Sequence, residues 1–475
     1  MNVKQKHIDP SGYLSNKTIA ALCSPTGGAI CVLRVSGEAT FAIVEKIAGI
    51  SRAEIIERKA KRVWLKDAEG HRLDDAVMIP FVGPRSFTGE DVVEFFLHGS
   101  PIIAQKTLDS IFAAGARMAL PGEFSFRAVK NGKMTLSQAE AVKELIAAEN
   151  DFALSLALEK LSGSQHELIE KIRTELMQLV TLSEVGIDFS DQDIDEVSLP
   201  RLKGRLRSVV TMLSELHGSF DRGKRFLDGI PVSVFGLPNA GKSSFFNALL
   251  GEDRSIVSDI AGTTRDVIRE KLNLKGSSGY VTFRLSDTAG LRKGADTVEE
   301  IGIERTLKAA RESDLVLIVV DGVDPKIEQV RTFLDQIDLS YKSVLGVVTK
   351  LDLLSDDQKA KVLEQVKTLP VSSWNGVSSL RLTGIHEVAS EMASIAERYL
   401  SRKPGEVVLT QFEHVQAVTR ALECLNRALS DEGAIDLVLF ATDIRHGMNE
   451  LGPLIGETLP DDVLGKIFSD FCIGK

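Results

Sequence analysis

Gly236, Gly241, Lys242 and Ser243 stand at the spacing G-x-x-x-x-G-K-[ST] within the stretch GLPNAGKSS, residues 236–244. Residue types in that order suit a polyphosphate. Glycines let successive backbone N–H groups curl around the anion, and a helix opening there presents its positive end to it. The Lys242 ammonium can reach the terminal phosphates, and the Ser243 hydroxyl can ligate Mg²⁺. Asn239, Ala240 and Ser244 complete the expected contacts of this loop.

Further clusters follow in a consistent order. Gly262-Thr263-Thr264-Arg265-Asp266 carries Thr264 where a second oxygen ligand for Mg²⁺ is expected. Asp287-Thr288-Ala289-Gly290 closes the alternating run 281–286, which puts an acid and a glycine beside the phosphates at a strand's end. Thr349-Lys350-Leu351-Asp352 ends a continuous apolar run. An aspartate there accepts from both the ring N–H and the amino group of guanine, a pair that adenine does not offer. The usual asparagine of this N-K-x-D motif is threonine here, so guanine specificity falls mainly on Asp352. Ser378, Ser379 and Leu380 are the candidate last base-contacting loop. Four ordered clusters point to a GTPase.

These side chains need a frame. Residues 231–235 read as a strand into the glycine loop, and Phe245–Leu250 as the helix out of it. Residues 315–320 and 344–348 are continuous apolar runs, the pattern of parallel strands covered on both faces. The chain of 475 residues has room for about three domains. Its net charge of −10 argues against general, charge-driven nucleic-acid binding, so any RNA contact must be local or shared with a more basic partner. The first ten residues, MNVKQKHIDP, lack the apolar stretch of a signal peptide, and no apolar run approaches ~18 residues. Cysteines 23, 31, 424 and 472 lack metal-ligand spacing and read as free thiols. A cytoplasmic location, without membrane attachment, is expected.

Residues 1–132 read as a mixed α/β unit with strands over 29–35, 75–79 and 91–97 and a helix over 102–114. By themselves its loops Ser86–Asp91, His98-Gly99 and Pro121–Ser125 are turn chemistry. From Leu136 the apolar period turns helical, with Thr135 and Gln138 placed to form a capping box. An acidic stretch, Asp188–Glu196, interrupts it. Glu196 stands where a calcium loop needs glycine and Leu202 where it needs glutamate, so the stretch reads as a solvated corner. Helical patterning returns at 206–226 and again from Ile385 to the end. This predicts a GTPase domain at 229–384 inserted into a helical domain made of 133–228 and 385–475. Cys472 mimics a prenylation position, but a terminal lysine is unusual for that signal.

The motifs FTGEDVVEF, LPGEFSFRAVKNGK with LSQAEAV, IGIER and the terminal FCIGK together resemble the bacterial tRNA-modification GTPase family MnmE/TrmE, over essentially the whole chain. The resemblance implies an α/β N-terminal folate-binding and dimerising domain (1–132), a helical domain and an inserted Ras-like P-loop GTPase domain. It implies that a homodimer works with an FAD-dependent MnmG-type partner subunit as a heterotetramer. Together they add a carboxymethylaminomethyl-type group at C5 of the wobble uridine of certain tRNAs. A tetrahydrofolate such as the 5-formyl derivative is the one-carbon donor. A ribosome-assembly GTPase is the alternative, but would not need the N-terminal motifs or FCIGK; a GTP-driven scaffold is another.

Carried over by position, folate contacts fall on Arg34, Glu94, Lys133 and Lys475, and a candidate catalytic thiol on Cys472. Leu291 follows the DTAG glycine, where a glutamine would orient water in Ras-like proteins, and no arginine finger is evident in the chain. The resemblance supplies K⁺ instead, held by Asn239 and by the loop residues Ser258, Ile260 and Thr263, with Glu299 as the water-activating acid. Three positions depart from the family: the shortened loop Ser24–Gly28, Glu413 before His414, and Thr349.

Overall fold

The computed structural model describes residues 10–188, 198–252, 271–286, 307–340, 342–403, 405–430, 437–456, 465, 467–469, 471 and 473–474. The chain divides into two compact units, one of residues 1–143, 160–210 and 417–475, the other of 144–159 and 211–416.

In the first unit a six-stranded sheet is built from β1 (Ile19–Leu22), β2 (Ile30–Ser36), β3 (Lys61–Lys66), β4 (Arg72–Phe81), β5 (Val92–His98) and β6 (Arg117–Met118). Their order is β3-β4-β5-β2-β1-β6. All neighbours are antiparallel except β1 and β6. Alternation decides the faces. Cys31, Leu33 and Val35 of β2 and Val93, Phe95 and Leu97 of β5 share a core with α1 (Thr40–Ala48) and α2 (Pro101–Ala113). Arg34 and Glu94 face the other way and pair directly in the β2–β5 register. The helix α3 (Glu123–Lys130) follows the proline-glycine turn. Thr135 and Gln138 form the expected capping box of α4 (Leu136–Ala147): the Gln138 amide donates to Thr135 Oγ1 at 3.2 Å, and the Thr135 amide to Gln138 Oε1 at 2.9 Å.

The helical stripe read from the sequence is realised in α5 (Asp151–Leu161), α6 (Ser164–Asp188), α7 (Leu199–Gly218) and α8 (Phe220–Asp228). Ile169, Ile172, Leu176, Leu179 and Val180 form the buried face of α6.

The second unit holds the other sheet: β7 (Ile230–Phe235), β8 (Lys271–Lys275), β9 (Tyr280–Ser286), β10 (Leu315–Asp321), β11 (Ser343–Thr349) and β12 (Ser373–Gly376). The order β12-β11-β10-β7-β9-β8 is parallel except for the edge pair β8–β9. The strand order reverses about β7, so β7 ends at the topological switch point of the sheet, where ligands of open α/β sheets sit. Beyond it lie α9 (Lys242–Glu252), α10 (Ile327–Leu334), α11 (Asp356–Val366) and α12 (Ile385–Tyr399). Ile385, Val388, Met392 and Ala396 of α12 share one core with Phe245, Leu249, Leu272 and Leu345. The last long helices are α13 (Phe412–Ser430) and α14 (Leu437–Glu450).

Candidate functional site

The loop after β7 is a short connection forced into unusual backbone. Asn239 adopts φ 62°, a region that asparagine tolerates better than most residues. Gly241 adopts φ 83°, and a Cβ there would lie 3.2 Å from Thr349 Oγ1, so conformation and space both call for glycine. The loop leads straight into α9, whose first residues are Lys242, Ser243 and Ser244. Ser243 and Ser244 are exposed on this opening turn, and Ala240 is buried behind them. The arrangement gathers the first amides of α9 and its positive end at one point.

Lys242 is half-buried and lies back along the loop, its Nζ donating to the carbonyls of Gly236 at 2.7 Å and Leu237 at 3.0 Å. Burial pushes its ammonium below the ordinary lysine range. A cation held over a glycine loop in this way is placed to receive phosphate oxygens.

The end of β11 locks onto the same loop. Thr349 is 2% exposed, and its hydroxyl lies 2.7 Å from the Ala240 carbonyl and 3.2 Å from that of Val320. Lys350, at φ 59°, donates to the Asn239 carbonyl at 2.8 Å and to Asp321 Oδ2 at 2.6 Å. Consecutive residues of the base motif therefore hold consecutive carbonyls of the phosphate loop. Asp352 is left at the surface, one turn on. The Ser378 hydroxyl beside it, with a smaller contribution from Arg381, holds its carboxyl below the ordinary aspartate range. Ser378 is buried and also accepts from the Arg381 amide at 3.2 Å, while Leu380 is 84% exposed beside it. The structure thus brings the two base-side segments together with the phosphate loop.

In the first unit, Arg34 and Glu94 form a second candidate site. The guanidinium donates to Glu94 Oε1 through Nε at 2.9 Å and Nη2 at 2.7 Å. It sits 5.0 Å from the ring of Phe87 and 5.4 Å from that of Phe124, each partner being 18% exposed. Lys133 is exposed on the neighbouring turn, its Cγ 3.2 Å from where a Cβ on Gly89 would stand. The end of the chain docks onto the same sheet. Gly474 is buried at φ 96°, and a Cβ there would lie 2.0 Å from the carbonyl of Leu22. In the β1–β2 ladder Leu22 pairs with Leu33, one step from Ala21 with Arg34. The shortened loop Ser24–Gly28 closes on the His98-Gly99 turn, with the Gly27 amide donating to the Gly99 carbonyl at 2.7 Å.

The charged residues of the FTGED and PGEFSFR motifs do something that residue types alone did not reveal. Glu123, fully buried, accepts from Arg117 at 2.7 and 2.5 Å, from Arg127 at 2.9 Å and from the Leu120 amide at 2.8 Å. Arg127 passes the charge on to Glu90 at 3.0 Å, and Glu90 Oε2 accepts from Ser36, whose Oγ also bonds Thr88 at 2.7 Å. This is an interior frame that holds the loop carrying Phe87 and the helix carrying Phe124. The spacing of Glu123 and Arg127, four apart on a helix, was the one sequence signal for it.

Ser258, Ile260, Thr263, Thr264, Asp287, Thr288, Ala289, Gly290, Glu299, Cys472 and Lys475 lie outside the described residues. Among the described helices, none is long and apolar enough to cross a membrane.

Comparison with known proteins identifies the family of the chain. Residues 18–133 match the family described as GTP-binding protein TrmE N-terminus, and residues 136–472 match the MnmE helical domain. The chain is 37% identical over 460 residues to the tRNA modification GTPase MnmE of Aquifex aeolicus, covering 96% of this chain and 99% of that protein. It is 34% identical over 465 residues to the protein of that name from Protochlamydia amoebophila, covering 98% of each. With the Thermotoga maritima protein of that name it shares 35% identity over 462 residues, covering 96% of this chain and 100% of that one.

Proposed function

The chain belongs to the MnmE family of tRNA modification GTPases, and from that premise we propose how its parts divide the work. GTP is bound at the end of β7 and hydrolysed there. Asn239–Ser244 receive the phosphates, and Asp352, backed by Ser378, accepts from the guanine. The observation that carries this is the pair of tethers from Thr349 and Lys350 to the Ala240 and Asn239 carbonyls, which fix the base seat against the phosphate seat.

Two cations fit the donors present. Ser243, an exposed residue at the first turn of α9, carries an oxygen ligand suited to Mg²⁺, with Thr264 as its proposed companion. Asn239 offers an exposed amide oxygen at the loop's shoulder, suited to K⁺, together with Ser258, Ile260 and Thr263. Bound there, the cations would neutralise charge on the phosphates. Glu299 is proposed to activate water. Faster GTP turnover in K⁺ than in Na⁺ at equal ionic strength, lost in Asn239→Ala, is the expected result; equal rates in both salts would remove K⁺ from this account.

In the first unit the Arg34–Glu94 pair, shielded by Phe87 and Phe124, supplies a carboxylate for a pterin's N–H groups and a guanidinium for a glutamyl tail. With Lys133 and Lys475 it is proposed to hold a tetrahydrofolate, and Cys472 to serve beside it. The N-terminal domain is proposed to span 1–132. The helical domain, 133–228 with 385–475, is proposed to carry the GTPase domain, 229–384. A homodimer is supported by the sheet face that leaves Ile30 62%, Trp64 42% and Val77 40% exposed. It works in the cytoplasm with an FAD-dependent partner on the wobble uridine of tRNA. Profiling that uridine in a deletion strain, rescued by wild type or by an Arg34→Ala, Glu94→Ala double variant, tests the scheme. Full modification with the double variant would overturn the folate assignment; normal wobble uridine in the deletion strain, with a ribosome-assembly defect, would favour the alternative GTPase.

A further inference from the structure

We infer that Thr349 ties down the phosphate loop and leaves the N7 edge of guanine unread, so that this GTPase recognises its base through the amide edge alone. The inference rests on the assignment of Asp352 to the base.

Thr349 is the last residue of β11 and is 2% exposed. Its hydroxyl has one proton, and the two oxygens within reach are both carbonyls, Ala240 at 2.7 Å and Val320 at 3.2 Å. The proton is therefore committed to the backbone. An asparagine at this position carries two amide protons on a longer side chain. One can hold the loop carbonyl and leave the other for an acceptor on the base. Guanine N7 is such an acceptor and needs a donor.

The next side chain is drawn to the phosphate loop, with two of its three ammonium protons committed. Lys350 Nζ is held by the Asn239 carbonyl at 2.8 Å and Asp321 at 2.6 Å. Asp352, with Ser378 donating to it, presents acceptors to the N–H groups of the opposite edge and can do nothing for N7. The motif thus retains the loop tether and the carboxylate but drops one contact between them. Space supports the same conclusion. A Cβ on Gly241 would lie 3.2 Å from Thr349 Oγ1 and 3.5 Å from its Cγ2, so the side chain is packed under the loop.

The experiment is calorimetric titration of the full-length protein with GDP, 7-deaza-GDP (a carbon in place of N7) and IDP (no 2-amino group). Wild type should bind GDP and 7-deaza-GDP within about twofold of each other. Thr349→Asn should tighten GDP by about five- to tenfold, the worth of one hydrogen bond, and should lose that gain with 7-deaza-GDP. Thr349→Val, which removes the tether, should weaken both nucleotides equally, and Thr349→Ser should restore them. Wild-type discrimination of fivefold or more against 7-deaza-GDP would overturn the inference without any variant. So would a Thr349→Asn protein that binds GDP no more tightly. Equal binding of IDP and GDP would instead overturn the Asp352 assignment, and that outcome is separate from the N7 comparison.

Discussion

The loop after β7 and the loops around Glu123 are both rich in glycine and charge, yet they spend their polar groups in opposite ways. At Glu123 every charge is answered from within: Arg117, Arg127, Glu90 and Ser36 close a chain of hydrogen bonds around a fully buried carboxylate. At Gly236–Ser244 the backbone carbonyls are tied down by Lys242, Thr349 and Lys350, while Asn239, Ser243 and Ser244 stand exposed along the loop and the first turn of the helix. A buried network that satisfies itself makes a scaffold. A loop whose acceptors are answered and whose helix end stays open makes a receptor for an anion.

The sharpest break of that contrast is Lys242→Ala. It should lower GTP affinity and turnover by about a hundredfold or more without lowering the melting temperature, since the ammonium is held at the expense of burial. A loss of folding with the loss of binding would place Lys242 in the scaffold class. Next, Glu123→Ala should destabilise the first unit by about 3–5 kcal/mol, because Arg117 loses its carboxylate and the buried Arg127 keeps only one of its two. Denaturant titration measures this, and GTP affinity of the folded fraction should be unchanged. A stability change under about 1 kcal/mol would contradict the account of an interior network.

A smaller effect separates frame from ligand site inside the first unit. Arg34→Ala should weaken 5-formyltetrahydrofolate by about tenfold or more with GTP turnover intact, measured by fluorescence titration; unchanged folate affinity removes Arg34. Smallest is a pH effect. Because Ser378 keeps Asp352 below the ordinary carboxylate range, the carboxylate is present above that lowered value and lost only as pH falls through it. Guanine affinity should stay flat from roughly pH 8 to pH 5, and a drop in that window would place another group at the base.

The GTPase sheet was legible because its central strands, β10 and β11, are unbroken apolar runs covered on both faces. Its edges were not. β12 reads Ser-Trp-Asn-Gly, which has no period, and β8 alternates lysine with leucine like a surface segment. In the N-terminal sheet β1 is four residues long and half alanine, too short for a pattern to declare itself. The base motif was legible from spacing, but the tether from Thr349 was not, because its partner is a backbone carbonyl at Ala240 that no side-chain pattern marks. Glu123 falls in a segment that reads as turn chemistry, since burial of its charge depends on partners brought from residues 117 and 127 by the fold. The motif that contains Glu123 and Arg127 helps carry the family resemblance, while their work depends on neighbours that only the fold brings together.

The seat of Gly474 against Leu22 joins positions 452 residues apart (474 − 22). A ribosome adding about 5–20 residues per second needs roughly 20–90 s to make that stretch. All six strands of the first sheet have emerged long before. During that interval the end of β1, and the Tyr13 and Phe126 surface that Phe468 and Phe471 will cover, stand open. The domain made first is therefore among the last to be finished, and any messenger or protease that trims the chain early leaves a sheet with every strand present and its closing segment missing.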